Sequence, residues 1–311
     1  MSQQTIKFVV STSTELEISV KEFVIAKQQE GLSPGSIKKY EFYLGDFVAW
    51  CHDRGIDGLP GLGRVALREW GAGLHGNRAR ATVRLITSII RSFLAWCYEE
   101  RLIDEDLATA LKLPKVKIRE QRTLTADEFL ALLRTCDDDL YGVRDAAIIS
   151  LMVDSGLRVS ELCGLRLDAL IFEPIYQATV ISKGGDEEPV YFGEATAELL
   201  RVWLRVRPGW SPDDTVFVAL GGNTPGYAMT RSGILTLLLR RCFEAGIPPA
   251  SPHALRRTFA CLADEAGAST RKIQEWGRWS DIKMVERYTQ GLKAGRLYRQ
   301  FSPADHAQSQ K

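Results

Sequence analysis

One cluster of β-type runs interrupts a chain that otherwise places its apolar residues at helical spacing. Ile171-Phe172 and Ala178 to Ile181 are short β-type runs, Lys183 to Asp186 is a glycine-containing turn, and Pro189 to Phe192 is a returning strand. Strands joined by a tight turn pair antiparallel. Helical patterns cover Arg144 to Val153 before this cluster and Ala195 to Val206, Ser232 to Ala245, His253 to Ala266 and Arg271 to Trp276 after it. The expected fold class is mainly α with a small antiparallel β-sheet.

Residues 15–112 read as a first, wholly helical domain. Val20, Phe23, Val24 and Ala26 start an apolar stripe, Ser33 to Ser36 is a Pro-Gly turn before a helix start, and Tyr40, Tyr43, Leu44, Phe47 and Trp50 recur at three and four residues. Phe47 to Cys51 is echoed by Phe93 to Cys97, as two helices that bury similar faces would be, whether by duplication or by convergence on one packing need. Residues 113–122, with a proline and several cations, read as an extended interdomain linker. Thr125 and Glu128 then form a capping box that opens a second domain over 123–301, and 302–311 is a polar tail.

With 311 residues, 45% of them hydrophobic, the chain can build two cores, and a net charge of +1 provides no global field for a polyanion. A nucleic-acid surface must therefore be local. Arg64, Arg68, Arg78, Arg80, Arg84 and Arg91 face only Glu69 across their stretch, with Thr82, Ser88 and Ser92 among them. That is either a solvated helix face or a phosphate-contacting surface, to which Lys115 and Lys117 of the linker add charge. The six cysteines show no metal-ligand spacing and read as reduced thiols of a cytoplasmic protein. The four histidines lie far apart, without an H-E-x-x-H pattern, so no metal cofactor is expected. The start carries too short an apolar run for a signal peptide, and no run of about 20 apolar residues spans a membrane.

An ordered polar set lies in the second domain: Arg158, Lys183, His253, Arg256, Trp279 and Tyr288. Two guanidiniums, an ammonium, an imidazole, an indole N–H and a phenol match what metal-free cleavage of a phosphodiester requires: cations for the anion, groups that carry protons and a hydroxyl nucleophile. Arg158 and Glu161 sit three apart at a helix start, after a helix end at Ser155-Gly156. His253 and Arg256 share the first turn of a helix with Ser251 as N-cap and Pro252 at its first position, where N–H groups favour an anion. Lys183 is the only lysine between Lys117 and Lys272. Gly277 ends a helix and Ser280 caps the next, which carries Tyr288; Tyr298 is a rival hydroxyl. Taken singly, each has a plain structural reading as a salt bridge, a turn residue or a packed ring.

In order, these motifs resemble the tyrosine recombinases of the phage-integrase family, and the Xer-type enzymes most closely, over nearly the whole chain. Gly156-Leu157-Arg158 with Glu161-Leu162 resembles the first arginine box and its acidic companion. Lys183 resembles the hairpin lysine, and His253 to Ala260 the H-x-x-R box. Two departures stand out. Where many members have Leu-Gly-His, this chain has Trp276-Gly277-Arg278-Trp279, so either Trp279, nine residues before Tyr288, or Arg278 fills the His/Trp position. Arg257 stands where Xer-type enzymes often carry a second histidine.

The resemblance implies a helical core-binding (SAM-like) domain followed by a tyrosine-recombinase catalytic domain. It implies site-specific cleavage and rejoining of double-stranded DNA through a 3′-phosphotyrosine, in integration, excision or dimer resolution, by a homo-tetramer on paired sites or a hetero-tetramer with a second recombinase. Arg158, Lys183, His253, Arg256, Trp279 and Tyr288 would be catalytic and Glu161 supporting. Leu292, Leu297 and Phe301 would dock the tail into a neighbouring protomer. The competing readings are a catalytically inactive DNA-binding accessory protein of the same fold and a type IB topoisomerase-like nicking-closing enzyme.

Overall fold

The computed structural model describes residues 14–76, 78–116, 122–182 and 184–289. Lys117, Lys183, Leu292, Leu297, Tyr298, Phe301 and the 302–311 tail lie outside the described residues. Contacts divide the chain into two compact units, Met1–Arg119 and Glu120–Lys311.

The first unit holds helices α1 (Glu15–Gln29), α2 (Pro34–His52), α3 (Arg64–Gly73) and α4 (Arg80–Glu99). Thr14 starts α1 with a capping box to Glu17, and Ser33 caps α2. Pro34 and Gly35 therefore lie inside the first turn of α2, where a missing proline N–H costs nothing, and not in a separate turn before it. The echoed segments do bury equivalent faces: Phe47 and Cys51 of α2 and Phe93 and Cys97 of α4 are all fully buried in one core. Burial pushes the Cys51 and Cys97 thiols up to about 12, which keeps them inert.

The second unit holds α5 (Ala126–Arg134), α6 (Leu140–Ser155) and the short α7 (Val159–Cys163), then strands β1 (Leu170–Ile171), β2 (Gln177–Ile181) and β3 (Glu187–Tyr191). Helices α8 (Glu194–Val206), α9 (Arg231–Glu244), α10 (Pro252–Glu265), α11 (Thr270–Gly277) and α12 (Ile282–Thr289) follow. The sheet is antiparallel in the order β1-β2-β3, with Ala178 opposite Val190 and Val180 opposite Glu188. Ala178, Val180 and Val190 turn inward, so Glu188, two residues from Val190, shares their face at its edge.

α6 is buried on all sides, which is why its sequence lacks an amphipathic stripe. It packs under α8 and α10 and so sets where the N-terminus of α10 lies relative to the end of α6. The capping box at Thr125 and Glu128 is present. No described helix is long and apolar enough to cross a membrane.

Candidate active site and basic surface

The site is built where α6 stops and α10 starts. α6 ends at Gly156, whose φ of 63° favours glycine and where a Cβ would approach the Phe259 ring to 2.6 Å. Only glycine lets the chain reverse this close to α10. Two residues later Arg158 is the extended N-cap of α7. Glu161 folds back on it: one carboxylate oxygen accepts from the Arg158 backbone N–H at 2.8 Å, the other from Arg158 Nη1 at 2.6 Å. One carboxylate thus fixes both backbone and guanidinium. Burial alone would raise the Glu161 carboxyl, but hydrogen bonds from Arg278 and from Arg158 hold it below its usual range.

Arg256 projects inward from the first turns of α10, capped by Ser251 with Pro252 at the first position. Its guanidinium is 5% exposed, donates to the carbonyls of Gly156 and Gly277, and lies 4.5 Å from the centre of the Trp279 ring. Burial, aided by the nearby charge of Arg158, lowers the guanidinium to about 10, so it stays charged at neutral pH. Arg158 Nη2 reaches the next carbonyl, of Arg278, at 3.4 Å. The two guanidiniums are therefore fastened to consecutive carbonyls of one turn.

That turn then delivers the aromatic pair. Trp279 is buried, stacks on Phe259 at 6.0 Å and meets Tyr288 at 5.8 Å between ring centres. Gly277 permits this, since a Cβ there would overlap the indole. α11 ends on this glycine, as the sequence suggests, but the left-handed conformation falls on Arg278 just after it, φ 55°. Ser280 is not the residue that leads into α12; Asp281 is, its carboxylate accepting from Lys283 N at 2.9 Å. Tyr288 is half-buried on α12, and its carbonyl accepts from Cys261 Sγ at 3.2 Å. Between the two candidates for the His/Trp position, the indole of Trp279 faces Arg256 and Tyr288, whereas the guanidinium of Arg278 turns to Glu161 and Glu188.

His253 is exposed at the start of α10. Partial desolvation, then the charges of Arg257, Arg256 and Arg158, push its imidazole below the ordinary 6.5. Neutral imidazole can accept a proton, so the charge-poor form needed for a base persists to lower pH than for a free histidine. If His253 is that base, the single-turnover cleavage rate falls only below pH 6.5. Arg257→Gln removes one lowering charge, so its acid limb is expected to move upward toward 6.5; a rate–pH profile of both proteins checks this. Arg257 also donates to the Arg122 carbonyl at 2.8 and 3.0 Å.

The six arginines of the basic stretch have different partners. Arg64 holds Glu105 at 2.5 Å and Thr109 at 2.9 Å, Arg84 the Pro114 carbonyl at 3.0 Å, and Arg91 the Leu111 carbonyl. These three brace the segment that leaves the unit. Arg68, Arg80 and Lys115 are exposed, and among the described residues no ion pair holds them. Arg78 comes within 4.0 Å of Asp46.

The family model described as "Phage integrase family" matches residues 122–294. The chain belongs to that family. Among its curated relatives, the tyrosine recombinase XerC of Pseudomonas fluorescens is 34% identical over 269 residues, spanning 85% of this chain and 87% of the relative. The tyrosine recombinase XerD of Staphylococcus aureus is 30% identical over 295 residues, 93% of this chain and 99% of the relative. The chain is thus an Xer-type member of the integrase family. Its fold is shared with a XerH site-specific recombinase bound to a palindromic difH substrate in a post-cleavage complex (TM-score 0.70, 19% identity, 92% of this chain and 85% of that one). It is shared equally with a lambda integrase tetramer bound to a Holliday junction (TM-score 0.70, 18% identity, 95% and 85%).

Proposed function

We propose that this integrase-family protein is a site-specific tyrosine recombinase that cleaves and rejoins duplex DNA through a 3′-phosphotyrosine. The observation that carries this is the turn Gly277–Trp279, which brings two guanidiniums and the Tyr288 ring to one place. Arg158 and Arg256 grip the non-bridging oxygens of the scissile phosphate, each charge-assisted bond contributing about 1.5–3 kcal/mol. The Tyr288 oxygen attacks phosphorus as its proton passes to His253; the bond to the 5′ oxygen breaks, and Lys183 protonates that oxygen. The indole N–H of Trp279 adds a donor to the phosphate. Forming phenolate at pH 7 costs about 4 kcal/mol for a phenol in water, so the proton leaves to a base as the oxygen attacks rather than beforehand. The covalent adduct keeps the phosphodiester's energy, so a 5′-hydroxyl of either duplex rejoins the strand with no cofactor.

In this reading residues 15–112 are the core-binding domain, 113–122 the linker and 123–301 the catalytic domain. Arg68, Arg80 and Lys115 contact phosphates directly, with Arg64, Arg78, Arg84, Arg91 and Lys117 supporting the same surface. The protein works as a tetramer on paired sites, of one recombinase or two, in the cytoplasm. The test is covalent capture: the protein is mixed with randomly nicked genomic fragments, quenched with detergent, and the attached DNA sequenced. Adducts through Tyr288 at one recurrent sequence are expected. No adduct would mark a non-cleaving accessory protein. Adducts at scattered sequences, together with relaxation of a plasmid lacking the recurrent site, would mark a topoisomerase-like enzyme.

A further inference from the structure

We propose that Arg278 is a positioning residue that keeps Arg158 singly bonded to Glu161, and so free to grip phosphate, while tying the β2–β3 hairpin to the same carboxylate. The inference rests on the reading of Arg158 as a phosphate ligand. Three observations carry it. Arg278 has a φ of 55°, a conformation that costs a non-glycine residue about 1–2 kcal/mol. Its side chain is only 9% exposed, and its buried Nε has no partner among the described residues. Arginine is thus a costly choice for the backbone and for burial alike.

What it does with its guanidinium answers for that cost. Nη2 donates to Glu161 Oε2 at 2.7 Å and Nη1 to Glu188 Oε2 at 3.2 Å. Glu161 Oε2 also accepts from the Arg158 backbone, so Arg158's side chain has only Oε1 left, at 2.6 Å. An arginine facing a carboxylate alone closes a two-pronged pair with both oxygens. Arg278 occupies the oxygen that such a pair needs. Arg158 Nη2 is left on the distant carbonyl of Arg278, at 3.4 Å, a bond that a phosphate oxygen readily displaces. Glu188 belongs to β3, so the same guanidinium links α7 to the hairpin whose turn carries Lys183 in sequence.

Arg278→Gly removes the side chain and suits the left-handed backbone, so the fold should survive, as a thermal melt of the full-length protein will show. Single-turnover cleavage of the captured target duplex is expected to slow about tenfold at saturating DNA, with the half-saturating concentration unchanged. Arg278→Lys should recover part of this loss. Glu188→Gln should slow cleavage about threefold and add nothing in the Arg278→Gly background, because both cut one connection. Wild-type rates for Arg278→Gly would overturn the proposal. So would a loss confined to DNA affinity, which marks a plain DNA contact, or effects of the two variants that multiply. If Arg278→Gly does not fold, an unchanged rate for Glu188→Gln decides against it. Arg158→Lys in parallel separates the failures: wild-type cleavage by that variant removes the phosphate-ligand reading itself, whereas a slow Arg158→Lys beside a fast Arg278→Gly removes only the positioning role.

Discussion

Tyr288→Phe is expected to abolish the covalent protein–DNA adduct, lowering strand cleavage by about 10⁴-fold or more, while binding to the target duplex stays within about twofold of the parent protein. The size of the effect follows from what the oxygen does. In the proposed chemistry it is the atom that bonds to phosphorus, and a side chain could stand in for it only by occupying the same place beside Trp279. The ring itself is structural: it meets Trp279 at 5.8 Å, and phenylalanine keeps that contact. The protein's thermal stability should therefore move little. Detergent-resistant adduct on a nicked duplex, measured on denaturing gels, checks the chemistry. A gel shift on intact duplex checks the binding. Adduct formed by Tyr288→Phe at the parent rate would transfer the nucleophile to another hydroxyl, Tyr298 being the nearest tyrosine in sequence.

The parts of this site that could be read from sequence are those that a single helix start assembles. Arg158 with Glu161, and His253 with Arg256, are each three residues apart, and at that spacing a helix brings them together whatever the rest of the chain does. The caps at Thr125 and Ser251 have the same local character, and so do the hairpin strands, whose alternation is fixed within five residues. The role of Arg278 could not be read this way. Its partners lie 117 and 90 residues away, and neither Glu161 nor Glu188 signals from its neighbours that it awaits a guanidinium. Its left-handed backbone was hidden as well, because a Gly-Arg pair suggests that the glycine takes the positive φ.

The basic stretch of the first unit shows the limit of composition more sharply. Six arginines against one glutamate look like one surface, yet Arg64, Arg84 and Arg91 spend hydrogen bonds on Glu105, Thr109 and the carbonyls of Pro114 and Leu111. Charge count locates a patch; only the fold says which guanidiniums are still free for phosphate. In the same way the α6 sequence, with no amphipathic stripe, marks burial but not which helices cover it.

Arg256→Lys is expected to lower cleavage by about 10²–10³-fold and to introduce a basic limb into the rate–pH profile that the parent protein lacks. The guanidinium of Arg256 bridges two carbonyls, of Gly156 and Gly277, that belong to different turns, and its centre lies 4.5 Å from the centre of the Trp279 ring. An ammonium is a point donor on a flexible stem and cannot hold both carbonyls and a phosphate oxygen in one plane. The pH effect follows from burial. The surroundings already bring the arginine down to about 10. A lysine begins about 2 pH units below arginine, so the same burial and the same charge of Arg158 carry it toward neutrality. A group whose folded value is lowered loses its charge as pH rises through that value, so the variant should fade at alkaline pH while the parent holds its rate. Arg256→Ala should do more damage to the fold than to the pH profile. It leaves the Gly156 and Gly277 carbonyls unpaired and opens a space under Trp279, at about 2–4 kcal/mol, to be read as a lower urea midpoint. A lysine variant with parental rates at every pH would show that position 256 supplies charge alone, and that the bridge between the two turns is dispensable for catalysis.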